Sequence, residues 1–336
     1  LVDREVAAEP VKAKENIVNI KTLAVAALLA AAPHPAPARD MVGLSVPEQV
    51  PADIFSRPRS RDVLVAQVLL DRSRHSPGVI DGVPGGNTVR AIRAFERAYG
   101  MSADGKIDRQ LLKKLLEVNS GDIFQRHTIS DADLSGPFRT VPSGMEGQAE
   151  LDTLSYESPA EALAEKFHMA QSFLEALNPG VDFAKIGTEI TVVVPGPDRM
   201  DAEVTRVEVD TSASALRAYD ATGKLVASYP ATIGSSSFPS PRGTMEVRAV
   251  APNPVYYFNP SGREWGPDRK LTIAAGPNNP VGSTWIDLTK EGYGIHGTPD
   301  PKLIGKTSSH GCVRLTNWDA EELSKSVSQG TKVEFL

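Results

Sequence analysis

Arg206-Val207-Glu208-Val209 alternates charged and apolar side chains. A period of two marks a strand with one buried face. The pattern returns at Leu216 and Ala218, and again at Leu225, Ala227 and Tyr229. Asp220-Ala221-Thr222-Gly223 sits between these last two runs and reads as a hairpin turn. Working outward, residues 203–336 read as mostly antiparallel β-structure with many Pro and Gly loops. One helix is expected near the end. Thr316 and Asp319 give its start signal, Ala320 to Val327 follow, and Gly330 stops it.

Two stretches inside this region carry chemistry: Tyr293-Gly294-Ile295-His296-Gly297-Thr298 and Ser309-His310-Gly311-Cys312-Val313-Arg314-Leu315. Cys312 is the only cysteine, so no intrachain disulfide can form and the lone thiol calls for reactivity or an intermolecular bond. A free thiol has a pKa of about 8.5 and needs a base near neutral pH. His296 and His310 are the available imidazoles. Gly297 and Gly311 follow them, and glycine lets backbone N–H groups approach a carbonyl closely. The N–H of Cys312 and that of a neighbour would hold a tetrahedral oxyanion, each donor worth about 3–4 kcal/mol. The bland alternatives are a buried, inert Cys312 and a core His296. Zinc held by His296, His310 and Cys312 is a third reading. It lacks an acidic partner at a familiar spacing and a His-Glu-x-x-His string. No metal or other cofactor is implied.

The two stretches resemble the signature of the L,D-transpeptidases, the family with a YkuD-type catalytic domain. Pro241-Arg242-Gly243-Thr244-Met245 is similar to the family's Pro-x-Gly segment. Gly276-Pro277-Asn278-Asn279-Pro280 and Trp285 resemble its lead-in to the first histidine. The resemblance spans about residues 203–336 and implies a β-sandwich-like fold with the active site under a flap. It implies Cys312 as nucleophile and His296 as general base. Gly311 and Cys312 would supply oxyanion donors, while Ser309, His310 and Gly297 shape the site. Arg314, Trp285, Tyr293 and Thr298 would lie around the substrate. Arg314 stands where some members have Asn, and its guanidinium would pair with a stem-peptide carboxylate.

The implied substrate is the peptidoglycan stem peptide. The thiolate attacks the bond between the stem's third residue and its terminal D-Ala, giving a thioester. A diamino acid of another stem then yields a 3→3 crosslink. A lysine of an outer-membrane protein or lipoprotein would instead yield a wall-anchored protein, and water would make the enzyme an L,D-carboxypeptidase. The non-enzymatic alternative is a peptidoglycan-binding scaffold.

Upstream, residues 61–118 carry three apolar helical faces: Val63, Leu64, Val68 and Leu69; Val89, Ile92 and Phe95; Leu111, Leu112, Leu115 and Leu116. Gly78-Val79-Ile80-Asp81-Gly82, Asn87-Thr88 and Asp104-Gly105-Lys106-Ile107-Asp108 resemble a peptidoglycan-binding module, which implies wall binding. Residues 150–197 read as helix, helix, strand. Ala164-Glu165-Lys166-Phe167, Leu177-Asn178-Pro179 and the closing strand resemble a degenerate LysM module, which implies binding of N-acetylglucosamine polymers. A clear first strand is missing there. Residues 39–60 and 119–149, rich in Pro and Gly, read as linkers.

Residues 1–38 read as an export leader. Lys12, Lys14 and Lys21 precede the apolar run Thr22 to Ala32, and Ala36-Pro37-Ala38 resembles a cleavage site. The net charge of -6 argues against nucleic acid as a partner. His34, His75, His127 and His168 read as surface residues. The expected whole is a multi-domain, exported protein, periplasmic or wall-associated. A mainly antiparallel β-sandwich-like catalytic domain follows a small three-helix module and a small α/β segment.

Overall fold

The computed structural model describes residues 50–235, 237–261 and 265–336. The leader expected over residues 1–38, with His34, lies outside the described residues. No helix among the described residues is long and apolar enough to cross a membrane.

The N-terminal half begins with α1 (Arg61–Arg72), α2 (Gly86–Ala98) and α3 (Arg109–Val118). Asp108 caps α3 by accepting the Leu111 N–H at 2.8 Å. Strand β1 (Phe124–Thr128) and the short α4 (Met145–Gln148) follow, then α5 (Pro159–Lys166), α6 (Gln171–Leu177) and β2 (Glu189–Val193). Ser158 caps α5 through the Glu161 N–H, and Pro159 occupies its first turn, as the Ser-Pro pair predicts.

Two expectations need correction here. Segment 119–149 is not only a linker, because β1 lies within it and pairs antiparallel with β2. It supplies the strand that residues 150–197 lack on their own. Only Phe124 of β1 is buried, so no period-two apolar repeat announces the strand. Residues 50–60 also do more than connect, since Val50 and Ile54 are buried in the core.

That core is common to the whole N-terminal half. Leu64, Leu69, Phe95 and Leu111 of the three helices form one hydrophobic cluster with Leu163, Phe173, Leu174 and Val192 of the α/β segment. The two segments read separately in the sequence are thus a single packed body.

The C-terminal half is built from β3 (Arg206–Asp210), β4 (Ala215–Tyr219), β5 (Leu225–Pro230), β6 (Gly243–Pro252), β7 (Tyr256–Phe258), β8 (Leu271–Ile273), β9 (Thr284–Leu288), β10 (Gly294–His296), β11 (Val313–Arg314), α7 (Asn317–Ser324) and β12 (Lys332–Phe335). Eight of these strands form one sheet in the order β11-β10-β9-β6-β12-β3-β4-β5, while β7 and β8 form a separate hairpin. The pairs β10–β11 and β12–β3 are parallel and the other pairs antiparallel.

Strand β6 makes the sheet sandwich-like. Its first residues, Gly243 to Glu246, pair with β12, and Val247 to Pro252 pair with β9 across a bulge. A bulge bends a strand. Val207 and Leu216 from one half of the sheet therefore share a core with Ile286, Ile295 and Val313 from the other. Thr316 caps α7 by accepting the Asp319 N–H, the start signal read in the sequence.

The N-terminal body covers the free edge of this sheet. Ser76 N–H donates to Ser228 O and Ser228 N–H to Arg74 O, both at 2.8 Å, so residues 74–76 run beside β5. An open strand edge invites pairing with other chains, and this segment closes it. Here three histidines depart from the surface role expected of them. His75 is 3% exposed, its Nδ1 is 2.9 Å from Ser228 Oγ, and burial pushes its pKa down to about 4. His168 pairs with Asp71 at 3.0 Å and stacks on Trp318. His127 is hydrogen-bonded to Asp133 at 2.9 Å.

A shared core makes a specific prediction. Leu174→Ala should destabilise the N-terminal half by about 2–5 kcal/mol. Hydrogen exchange should then show α1 losing protection together with α6. Unchanged protection of α1 would mean that the two segments fold independently.

Candidate active site

Strands β9, β10 and β11 lie side by side, and their register builds the site. His296 sits opposite Trp285 on one neighbour and Arg314 on the other. Directly paired residues point to the same face, and successive residues alternate. Ile295 and Val313 enter the core with 0% exposure. Trp285, His296 and Arg314 therefore form a row on the other face. Cys312 lies in the bend that leads directly into β11. The thiol is partly exposed, and its Sγ lies 3.6 Å from Gly292 O in the β9–β10 turn.

His296 is held on three sides. The Trp285 ring stacks on it with centroids 5.4 Å apart and planes 23° from parallel. Gly294 leaves space for that indole, since a Cβ there would come within 2.5 Å of the ring. The Nδ1 atom lies 2.7 Å from Gly297 O. A carbonyl oxygen only accepts, so this contact is a hydrogen bond in the tautomer with the proton on Nδ1, which leaves Nε2 its lone pair. The Val281 backbone is a second hydrogen-bond partner of the ring. Burial, helped by the positive charge of Arg314, pushes the imidazole pKa down to about 3. The ring is neutral at neutral pH and so in the form that takes a proton.

The loop ahead of β11 is tied by Ser309. Its hydroxyl accepts the Gly311 N–H at 3.1 Å and donates to Cys312 O at 2.5 Å. Gly311 has φ +116°, a conformation that side chains rarely adopt, and a Cβ there would come 3.0 Å from the Tyr293 ring. The expectation for Gly311 as an oxyanion donor needs correction, because its N–H is already used by Ser309.

His310 is exposed and lies between two aromatic rings, Trp265 at 4.1 Å and Phe238 at 4.8 Å. Tyr293 forms a wall beside Gly311, with the Lys290 ammonium 4.6 Å above its ring. Two residues expected around the substrate also make internal contacts. Trp285 braces His296 and donates to Asp287. Thr298 is buried, and its Oγ1 accepts the Asp300 N–H at 3.2 Å. Arg314 differs, because its Nε is buried without a hydrogen-bond partner among the described residues.

Phe238, Trp265 and Asn317 were not read from the sequence as site residues. The first two lie 74 and 47 residues from Cys312 in segments without a repeating pattern. Asn317 follows the cysteine stretch closely but was absorbed into the expected helix. Among the described residues, no three His, Cys, Asp or Glu side chains are placed to hold a metal ion.

Residues 204–335 match the family profile "L,D-transpeptidase catalytic domain". The chain is 31% identical over 175 residues to "Putative L,D-transpeptidase YkuD" of Bacillus licheniformis, covering 52% of this chain and 92% of that protein. The chain belongs to the L,D-transpeptidase family. A second relative, "Probable L,D-transpeptidase YbiS" of Escherichia coli K12, is 29% identical over 212 residues, covering 60% of this L,D-transpeptidase and 68% of its own length. A solved "L,D-transpeptidase from Mycobacterium smegmatis" is 24% identical, covers 45% of this chain and 64% of that one, and superposes with a TM-score of 0.32. Residues 59–115 match the profile "Putative peptidoglycan binding domain". This L,D-transpeptidase is thus a transferase that works on peptidoglycan, outside the cytoplasm and in association with the wall.

The buried imidazole gives a direct test. Burial disfavours the cation, so the His296 ring should stay neutral as pH falls through 6.5 and titrate only near 3. Nitrogen-15 NMR of the labelled histidines would follow this. A His296 midpoint near 6.5 would mean a solvated ring and a different origin for its reactivity.

Proposed function

We propose that this L,D-transpeptidase works through Cys312 as nucleophile, with His296 as its base. The reading rests on one observation. The only thiol of the chain is partly exposed and directly precedes β11, whose Arg314 pairs with His296, and the buried imidazole there has its Nδ1 against a backbone carbonyl. A base oriented by a third group is the arrangement that activates such a nucleophile.

The donor is a tetrapeptide stem. Sγ attacks the carbonyl that joins the third residue to the terminal D-Ala, while His296 Nε2 takes the thiol proton. The oxyanion is met by the Cys312 N–H. Breakdown returns the proton to the departing D-Ala amine and leaves a thioester on Cys312. An acceptor amine then attacks the thioester, loses a proton to His296, and forms the new amide as the thiol is regenerated. A diamino acid on a second stem gives a 3→3 crosslink. A lysine of an outer-membrane protein or lipoprotein gives a wall-anchored protein. The buried, unpartnered Nε of Arg314 supports a carboxylate-binding role for that side chain.

His310 belongs to the frame of the site. Its ring is engaged by Phe238 and Trp265, which suits shaping the approach to the thiol. The region ahead of β3 is assigned to wall binding. The LysM-like reading of residues 150–197 is supported by β1, which lies ahead of that segment and of α4 and pairs with β2 to flank α5 and α6. An exported, periplasmic location fits such a substrate.

Incubation with a carbapenem should add one acyl group to the native protein by mass spectrometry. Cys312→Ala should show no adduct while keeping its thermal transition. A folded Cys312→Ala protein that still transfers acyl groups would end the proposal.

Acylation of His296→Ala should be slower by about 10²–10⁴-fold, and that of His310→Gln by much less. Equal losses in the two variants would mean that the base is misassigned.

A further inference from the structure

A hydrogen bond of the His296 ring, from Nδ1, ends on the carbonyl of Gly297. The other side of that same peptide group is the Thr298 N–H, which donates to Asn317 Oδ1 at 3.0 Å. One peptide plane therefore connects the imidazole to the Asn317 amide. Asn317 is 3% exposed and opens α7. Its Oδ1 also accepts the Ser283 N–H at 3.1 Å. Its Nδ2 donates to Pro277 O at 3.2 Å and to Glu165 Oε2 at 3.0 Å. All four bonds available to a side-chain amide are made, and a flipped amide would face every partner with the wrong group.

The surroundings are shaped for this amide. A Cβ at Gly297 or at Gly282 would collide with Asn317 Oδ1. Glu165 comes from α5 in the N-terminal body, 152 residues away in sequence, and is 7% exposed. It also receives the Tyr156 hydroxyl at 3.4 Å. Isolating a carboxyl from water is costly unless its hydrogen bonds are satisfied. At this site its burial brings an acceptor to Asn317.

We infer that Glu165 is a positioning residue for the proton-accepting imidazole: by holding the Asn317 amide it orients the Gly297–Thr298 peptide, and that peptide sets the tautomer of His296. The wall-binding half of the chain then completes the active site from behind. The inference rests on His296 as the base proposed above. Without the Glu165 acceptor, Asn317 Nδ2 keeps only Pro277 O, the amide can turn, and the Gly297 carbonyl is free to tilt away from Nδ1. Geometry at the reacting atoms is worth large factors in rate.

The test uses the full chain, carbapenem acylation followed by mass spectrometry, and nitrogen-15 NMR of the His296 ring. Glu165→Leu keeps the volume and removes the acceptor. It should lower the limiting acylation rate by about tenfold to a hundredfold at unchanged half-saturating carbapenem, with loss of the pure Nδ1–H spectrum. Glu165→Gln retains an acceptor oxygen and should restore both. A Glu165→Leu protein with wild-type rate and spectrum overturns the inference. If His296→Ala is also as fast as wild type, the base assignment itself fails; if only His296→Ala is slow, the base stands and the Glu165 role falls. Should Glu165→Leu not fold, the wild-type spectrum decides. An Nε2–H ring breaks the chain at Gly297 and overturns the inference, and an Nδ1–H ring with a slowly exchanging proton supports it.

Discussion

A parallel pairing only two residues long, Ile295 with Val313 and His296 with Arg314, is the contact on which the site depends. It brings together two stretches whose partners are 18 residues apart in sequence. Parallel neighbours need a connection that crosses back to the starting end, and residues 297–312 provide it. The connection is a loop with one 3₁₀ turn, Pro301–Leu303, tied down at both ends. Leu315 N–H reaches His296 O at 2.8 Å, and Ser309 N–H reaches Ile233 O at 2.9 Å. The imidazole and the segment that carries the thiol are thus held together by this short pairing and its flanking hydrogen bonds.

Burial of His296 has two opposing effects. A fall in pKa from 6.5 to about 3 means roughly 5 kcal/mol against forming the imidazolium. The same burial keeps the ring neutral and shielded from water. In the proposed mechanism the cation forms only as negative charge develops next to it. The low-dielectric setting that penalises an isolated cation strengthens that pairing. Trp285 and the Gly297 carbonyl hold the ring without adding charge.

The catalytic half was the more legible in the sequence. Val207, Val209, Leu216 and Ala218 alternate because β3 and β4 have one buried face, and Thr316 announces α7 because its hydroxyl has one local task. Strand β1 was silent, since a two-stranded ladder with one buried side chain leaves no period. His75 and His168 also gave no signal. Their burial comes from contacts with Ser228, Asp71 and Trp318 across long sequence separations, and each reads locally as an ordinary polar residue. At the site, residue types and spacing pointed to Cys312 and His296. That the Gly311 N–H is spent on Ser309, or that Trp285 braces a ring, depends on loop closure and register, which spacing alone does not specify.

The segment Arg74–Ser76, laid along β5, bears on how freely such proteins can be recombined. Modules joined by flexible tethers can be exchanged like beads on a string. Here the N-terminal body ends a β-sheet, and Ser76 and Arg74 bond to Asp319 and Glu322 on α7. A catalytic fragment cut free at residue 203 would present β5 bare, with its backbone donors and acceptors open to a second copy. Grafting a foreign wall-binding unit in its place would leave the same gap unless the graft carried its own strand to seal it.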